Sequence, residues 1–190
     1  MIDDKFVIKK GDITCITGEN GTGKTTLLSI ILGMKKLDTG NIFANKEFVD
    51  NKKDYLPRPP AIFSCSVNWN ALFSDDDYGN YNDIIRKYDF SEVFEKNYKD
   101  DYVYDKISGG EKSKTVFIRS EIINAPFIVF DEPEAWLDSE QRRLLVERIK
   151  YLRERGKTVL IVTHDKEIIS YCTKKVEIKD NRAVYYDEII

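Results

Sequence analysis

Two hydrophobic patterns alternate along this chain. Short apolar runs, Ile13-Thr14-Cys15-Ile16-Thr17, Phe127-Ile128-Val129-Phe130 and Thr158-Val159-Leu160-Ile161-Val162, read as strands buried on both faces. Between them the apolar spacing becomes helical. One helix is predicted from about Thr25 to a stop at Gly33, and another from Ser108 to about Asn124. A third is capped by Asp138 or Ser139, carries Leu144, Leu145, Ile149 and Leu152 on its apolar side, and ends at Gly156. Weaker β-type segments fill the gaps. Phe6–Lys9 leads through Gly11-Asp12 into the first apolar run, and Asn41–Ala44 follows the turn Asp38-Thr39-Gly40. Lys53–Leu56 is halted by Pro57, and Pro59-Pro60 forces an extended connection. Lys174–Ile178 and Arg182–Tyr186 form a terminal hairpin. The pattern predicts an α/β fold with a mostly parallel central sheet and N-terminal β strands.

The stretch from Val67 to Lys106 differs. It is rich in Asp, Tyr and Asn, with short helical patterns at Val67–Phe73, Asp83–Tyr88 and Ser91–Tyr98. We expect a small helical subdomain, 67–106, inserted in a single domain spanning 1–190. Asp75-Asp76-Asp77 lacks the spaced ligands of a calcium loop and reads as solvated loop.

Composition narrows the partners. With 42% hydrophobic residues the chain can pack a core, and its net charge of −3, with no basic tract, argues against direct contact with nucleic acid. Cys15, Cys65 and Cys172 lie far apart, fit no zinc spacing and suggest no disulfide framework. Cys15 reads as a buried structural thiol. A reducing, cytosolic setting is expected. The apolar run Leu27–Met34 is too short to span a bilayer and no signal peptide is evident, so a membrane role needs a partner.

Candidate chemistry starts at the first strand's end. Gly18-Glu19-Asn20-Gly21-Thr22-Gly23-Lys24-Thr25 is a complete G-x-x-x-x-G-K-[ST] phosphate-binding loop between an apolar strand and the helix that continues through Thr26. The glycines let backbone N–H groups turn toward phosphate oxygens, and the positive end of the helix adds to that field. Lys24 reaches the β- and γ-phosphates, and Thr25 offers its hydroxyl to Mg²⁺. Asp131 and Glu132 close the Phe127–Phe130 run, at the strand end where α/β sheets bind ligands. Asp131 suits the second coordination shell of Mg²⁺, and Glu132 suits an attacking water.

Ser108-Gly109-Gly110-Glu111-Lys112 reads locally as a capping box between Ser108 and Glu111. That leaves two glycines in a first helical turn unexplained, each costing about 1 kcal/mol against Ala. Bare backbone there admits an anion. The segment resembles the signature sequence of ATP-binding-cassette ATPases, with Ile107 and Glu111 replacing the commoner Leu and Gln. The remaining motifs follow in the family's order. Ala135-Trp136-Leu137-Asp138 resembles the D-loop, with Asp138 at its key position, and Thr163-His164-Asp165 resembles the switch-histidine segment. Arg119 falls on a familiar arginine of the signature helix.

The resemblance implies a P-loop NTPase that binds ATP and Mg²⁺ at two interfaces between head-to-tail cassettes, in a homodimer or a heterodimer. Each ATP is then clamped between Lys24 of one chain and Ser108, Gly109 and Gly110 of the other, with Glu132 activating water and His164 contacting the γ-phosphate. The implied role is the ATP-hydrolysing subunit of a transporter, peripheral at the inner face of the cell membrane through an integral membrane subunit. Phe63, Trp69 and Phe73 either line its docking groove or form the subdomain's own small core. Two other roles share the motifs: a non-transport cassette on ribosomes or DNA, and a regulatory cassette with weak turnover.

Further features depart from the pattern. In Tyr55-Leu56-Pro57-Arg58-Pro59-Pro60, which resembles the Q-loop, Arg58 stands where the family has a Gln that helps hold Mg²⁺. A guanidinium cannot ligate a cation, so contact with phosphate or a partner carboxylate, with slowed or partner-dependent hydrolysis, is expected. The family's upstream adenine-stacking aromatic has no counterpart, because Phe6 falls too close to the loop. The chain is thus naturally short or truncated, and ATP and GTP are expected to compete similarly. Glu134 replaces the usual Thr or Ser, with no account of its effect, and Trp136 suits core packing and dimer contact equally.

Overall fold

The computed structural model describes residues 6–50, 52–73, 81–88, 91, 107–179 and 182–186. A six-stranded sheet is ordered β2-β3-β4-β1-β5-β6, with β1 Ile13–Gly18, β2 Lys53–Leu56, β3 Phe127–Asp131, β4 Thr158–Val162, β5 Lys174–Lys179 and β6 Arg182–Tyr186. β1 runs parallel to β4 and β5, β3 runs parallel to β4, and β6 pairs antiparallel with β5. The apolar runs predicted as strands are these central ones, and β1, β3 and β4 are buried almost throughout. Strands covered on both faces have no solvent side, which is why they read as continuous runs.

Register then gathers the chemistry. Asp131 pairs with Val162, Ile16 also pairs with Val162, and Gly18 pairs with Ile178. The segments leaving β1, β3 and β4 therefore emerge at one edge, the carboxyl end of the parallel strands.

The chain divides into two compact units. The first comprises 1–55, 125–132 and 146–190. Its core joins Ile16, Leu28, Val129, Leu160, Val162 and Val176 in one cluster, with Leu27, Phe48 and Tyr55 against it. Helix α1, Lys24–Ile31, contributes Leu28 to that cluster and ends through Gly33 at φ +74°, with the Met34 N–H donating to the Ser29 carbonyl.

Two expected strands are absent. Phe6–Lys9 has no ladder. The Val7 carbonyl instead accepts from Lys174 Nζ and from the Tyr185 hydroxyl, each at 3.3 Å, and the Phe6 ring stands edge-on to Tyr185. Side chains have taken the place of a neighbouring strand. Asn41–Ala44 is also irregular, and Phe43 is 91% exposed. Beyond it lies an unexpected short helix, α2, Lys46–Asp50, whose start is fixed by Asn45 Oδ1 accepting from the Phe48 N–H at 2.7 Å.

The second unit comprises 56–124 and 133–145. It holds α3, Val67–Leu72, α4, Asn82–Lys87, and α5, Gly109–Ile123. Asn70 is fully buried and satisfied: it accepts from the Phe63 N–H and donates to the carbonyls of Phe63 and Ser66. It thereby ties 63–66 onto α3. A Pro133–Trp136 3₁₀ turn precedes α6, Ser139–Glu154, which begins in this unit and continues into the first. A last short helix, α7, Lys166–Ser170, follows β4. The expected helix at Ser91–Tyr98 and the Asp75–Asp77 run lie outside the described residues, apart from Ser91 itself.

Candidate active site

The phosphate-binding sequence turns at β1's end as its composition demands. Gly18 has φ +145°, and a Cβ there would lie 2.4 Å from the Ile178 carbonyl oxygen, so no other residue fits without moving β5. Gly23 occupies the N-cap of α1, and no side chain caps that helix. The first amides of α1 thus carry no side-chain acceptor, as an anion site requires. Lys24 is buried, and its ammonium donates to the carbonyls of Gly18 and Glu19 at 2.8 and 2.9 Å. Thr22 folds its hydroxyl onto the Glu19 carbonyl, closing the loop.

Thr25 and Asp131 are 106 residues apart in sequence and meet here, with Oγ1 donating to Oδ2 at 3.1 Å. Tyr55, on β2, adds its hydroxyl to the same oxygen at 3.4 Å. Burial, and then the Asp131 charge, push its phenol up to about 12, so it stays a donor. No motif assigns Tyr55 a role in the sequence. Its signal is a polar-tipped residue on the strand leading into the Q-loop segment, two before Pro57. An alcohol beside a carboxylate is a hard oxygen set, the kind that holds Mg²⁺ together with phosphate and water rather than in an all-protein cage. Among the described residues no group of three His, Cys, Asp or Glu forms such a cage.

Glu132 follows at φ +47°, a left-handed conformation that costs a non-glycine residue about 1–3 kcal/mol. Its N–H is held by the Val162 carbonyl at 2.9 Å. The strain aims the carboxylate: Oε1 lies 3.7 Å from Lys24 Nζ and 3.7 Å from His164 Nε2. The residues on either side of His164 are both held. The Thr163 N–H donates to the Ile16 carbonyl, and Asp165 caps α7 by accepting from Glu167 and Ile168. One carboxylate between two nitrogen groups, beside an alcohol–carboxylate pair and a bare helix end, is equipped to hold a polyphosphate and draw a proton from water at its end.

Lys24, Thr25, Asp131, Glu132 and His164 are therefore gathered in the first unit, with Asn20 in the loop and Thr26 exposed on α1. Ser108, Gly109, Gly110, Glu111, Asp138 and Arg58 belong to the second. There Ser108 Oγ accepts from the Glu111 N–H, while Glu111 Oε2 accepts from the Ser108 N–H at 2.7 Å. The capping box read from sequence is present. Asp138 caps α6, with Oδ1 accepting from the Gln141 N–H at 2.8 Å. Arg58 is exposed. No helix among the described residues is long and apolar enough to cross a membrane.

Comparison with known proteins agrees. The family description "ABC transporter" matches residues 2–135. The chain is 33% identical over 190 residues to the ergothioneine transport ATP-binding protein EgtV of Helicobacter pylori (strain G27), covering 93% of this chain and 89% of that protein. It is 30% identical over 195 residues to the ABC transporter ATP-binding protein YtrE of Bacillus subtilis (strain 168), covering 94% and 84%. The fold matches the dimeric, post-hydrolysis ATP-binding cassette MJ0796 bound to ADP and Pi, with a TM-score of 0.74 at 23% identity over 96% of this chain and 88% of that one. These likenesses, with the phosphate loop and signature in place, make it plain that the chain belongs to the ABC transporter family and serves it as an ATP-hydrolysing cassette.

Proposed function

We propose that two cassettes, one or both of them this chain, close head to tail around ATP and drive a separate integral membrane subunit. The carrying observation is Glu132, strained at φ +47° and set 3.7 Å from both Lys24 and His164. In this reading the α1 amides, Lys24 and residues Gly18–Thr26 hold the phosphates. Thr25 and Asp131 hold Mg²⁺, which when bound neutralises developing charge on the phosphate oxygens. Glu132 takes a proton from water as the water oxygen bonds to the γ-phosphorus. The bond from that phosphorus to the bridging oxygen breaks, leaving ADP and inorganic phosphate. His164 orients the water and contacts the γ-phosphate. Ser108, Gly109, Gly110 and Glu111 of the second cassette cover the same phosphate, with its Asp138 alongside.

The face toward the membrane subunit is carried by Phe63, Trp69 and Phe73. Trp69 stands edge-on to both phenylalanines at 5.7 Å, and the Arg119 guanidinium lies over Phe63 and Phe73. The rings form a cluster, yet Phe63 and Phe73 stay 51% and 45% exposed. A half-exposed aromatic cluster suits a docking surface. The protein works at the inner face of the membrane, held there by that subunit.

Steady-state phosphate release tests the catalytic assignment. Glu132→Gln is expected to bind ATP and lose at least about 10²-fold in kcat, as removal of a general base does. Turnover equal to the parent chain would overturn it.

A further inference from the structure

The second unit contains a contact that the family motifs do not assign. Asp138 and Gln141 form a reciprocal cap: Asp138 Oδ1 accepts from the Gln141 N–H at 2.8 Å, and Gln141 Oε1 faces the Asp138 N–H at 3.4 Å. This is the same device that Ser108 and Glu111 make at the start of α5. The two caps touch through one side chain. A Cβ built on Gly110 would lie 2.4 Å from Gln141 Nε2, 2.8 Å from Oε1 and 3.0 Å from Cδ. The Gln141 amide therefore meets the bare backbone of Gly110 edge-on, through its Nε2–Oε1 end. Gly110 has no positive φ, and a side chain there would displace the Gln141 amide from its place.

We infer that Gln141 is a positioning residue that locks the signature turn to the D-loop within one chain. Resting on the head-to-tail reading, the lock presents Ser108–Glu111 and Asp138 to the opposite cassette as one rigid unit. The nucleotide bound by the same chain meets Lys24, Thr25 and Asp131 instead, which belong to the other unit. Gln141 thus governs closure and turnover, not the affinity of its own phosphate loop.

The test compares Gly110→Ala, Gln141→Ala, the double variant and Gln141→Glu. Three readouts are taken on the full chain: thermal midpoint, kcat and KM for ATP, and ATP-driven dimerisation by sedimentation velocity in a Glu132→Gln background. Gln141→Ala is expected to lower kcat and weaken dimerisation by about tenfold or more, as small misplacements do, with KM unchanged. Gly110→Ala is expected to cost as much alone and little more when added to Gln141→Ala, because both break one contact. Gln141→Glu keeps a good capping residue, so the thermal midpoint should return while turnover does not. Additive effects of Gly110→Ala and Gln141→Ala on both midpoint and kcat would overturn the inference. So would full recovery of turnover in Gln141→Glu, which would leave Gln141 a helix cap only. The thermal cycle is read within one chain, so it separates loss of the lock from failure of the dimer reading. If the Glu132→Gln chain fails to dimerise with ATP, both alone and beside its partner cassette, that reading falls and the role of Gln141 in closure falls with it.

Discussion

Tyr55 shows what single residues contribute that motifs hide. It reaches Asp131 across 76 positions of sequence, with its hydroxyl 3.4 Å from Oδ2. Tyr55→Phe removes only that donor from the Thr25–Asp131 pair. Partners that orient a metal-binding carboxylate typically cost about 10–100-fold in metal affinity or activity when lost. Titrating Mg²⁺ into the ATPase assay should show Tyr55→Phe needing about tenfold more metal for half-maximal rate. An unchanged midpoint would make the contact incidental. Arg58 belongs to the same scale. It is exposed and, on the Q-loop resemblance, puts a permanent cation where the family has Gln, so Arg58→Gln is expected to raise the basal rate of phosphate release, and an equal rate would dismiss it as a brake. The contiguous candidates, Gly18 through Thr25 and Asp131-Glu132, were legible because their chemistry sits on adjacent residues. Tyr55 meets Asp131, and Gln141 meets Gly110, only through folding; the local Asp138–Gln141 spacing marks a helix cap and not that second contact.

Elements hold these groups in place by burial. Leu28 is fully buried in the cluster of Ile16, Val129, Leu160, Val162 and Val176, and it anchors α1 directly behind the phosphate loop. Leu28→Ala should lower stability by about 2–5 kcal/mol, read as a fall in the urea midpoint. A shift under about 1 kcal/mol would mean that α1 is held by something other than this packing. The central strands and long helices were readable because burial on both faces, or on one stripe, writes itself into hydrophobic order. The misses were short. Phe6–Lys9 has β-type residues, but its carbonyl at Val7 is taken by Lys174 and Tyr185. Asn41–Ala44 has apolar residues and no neighbour, and Ile42 and Phe43 face outward. A strand needs a partner, and residue pattern alone does not supply one. The α2 helix was missed for the opposite reason: five residues are too few for a period, and only Asn45 as a cap announces it.

At the scale of the whole molecule, the chain splits into two units that share its elements out of order. Residues 133–145 join 56–124, while 125–132 and 146–190 join the N-terminal part. Composition changes over 67–106, where a helical insert is expected from sequence. The passage of α6 from one unit to the other leaves no mark in composition, because that division is set by tertiary contacts. The division separates the two halves of the chemistry. Phosphate loop, Asp131, Glu132 and His164 lie in the first unit, and the signature turn, Asp138 and Gln141 lie in the second. On the proposed head-to-tail reading, a second copy or a relative completes the site, and bound ATP stabilises whichever assembly binds it best. The measurement that tests this most directly is sedimentation velocity of Glu132→Gln chains with Mg²⁺ and ATP, against ADP and against no nucleotide. The account predicts a dimer with ATP alone, lost again when Lys24→Ala is added. A dimer indifferent to nucleotide, or a chain that stays monomeric with ATP both alone and beside its partner cassette, would contradict it.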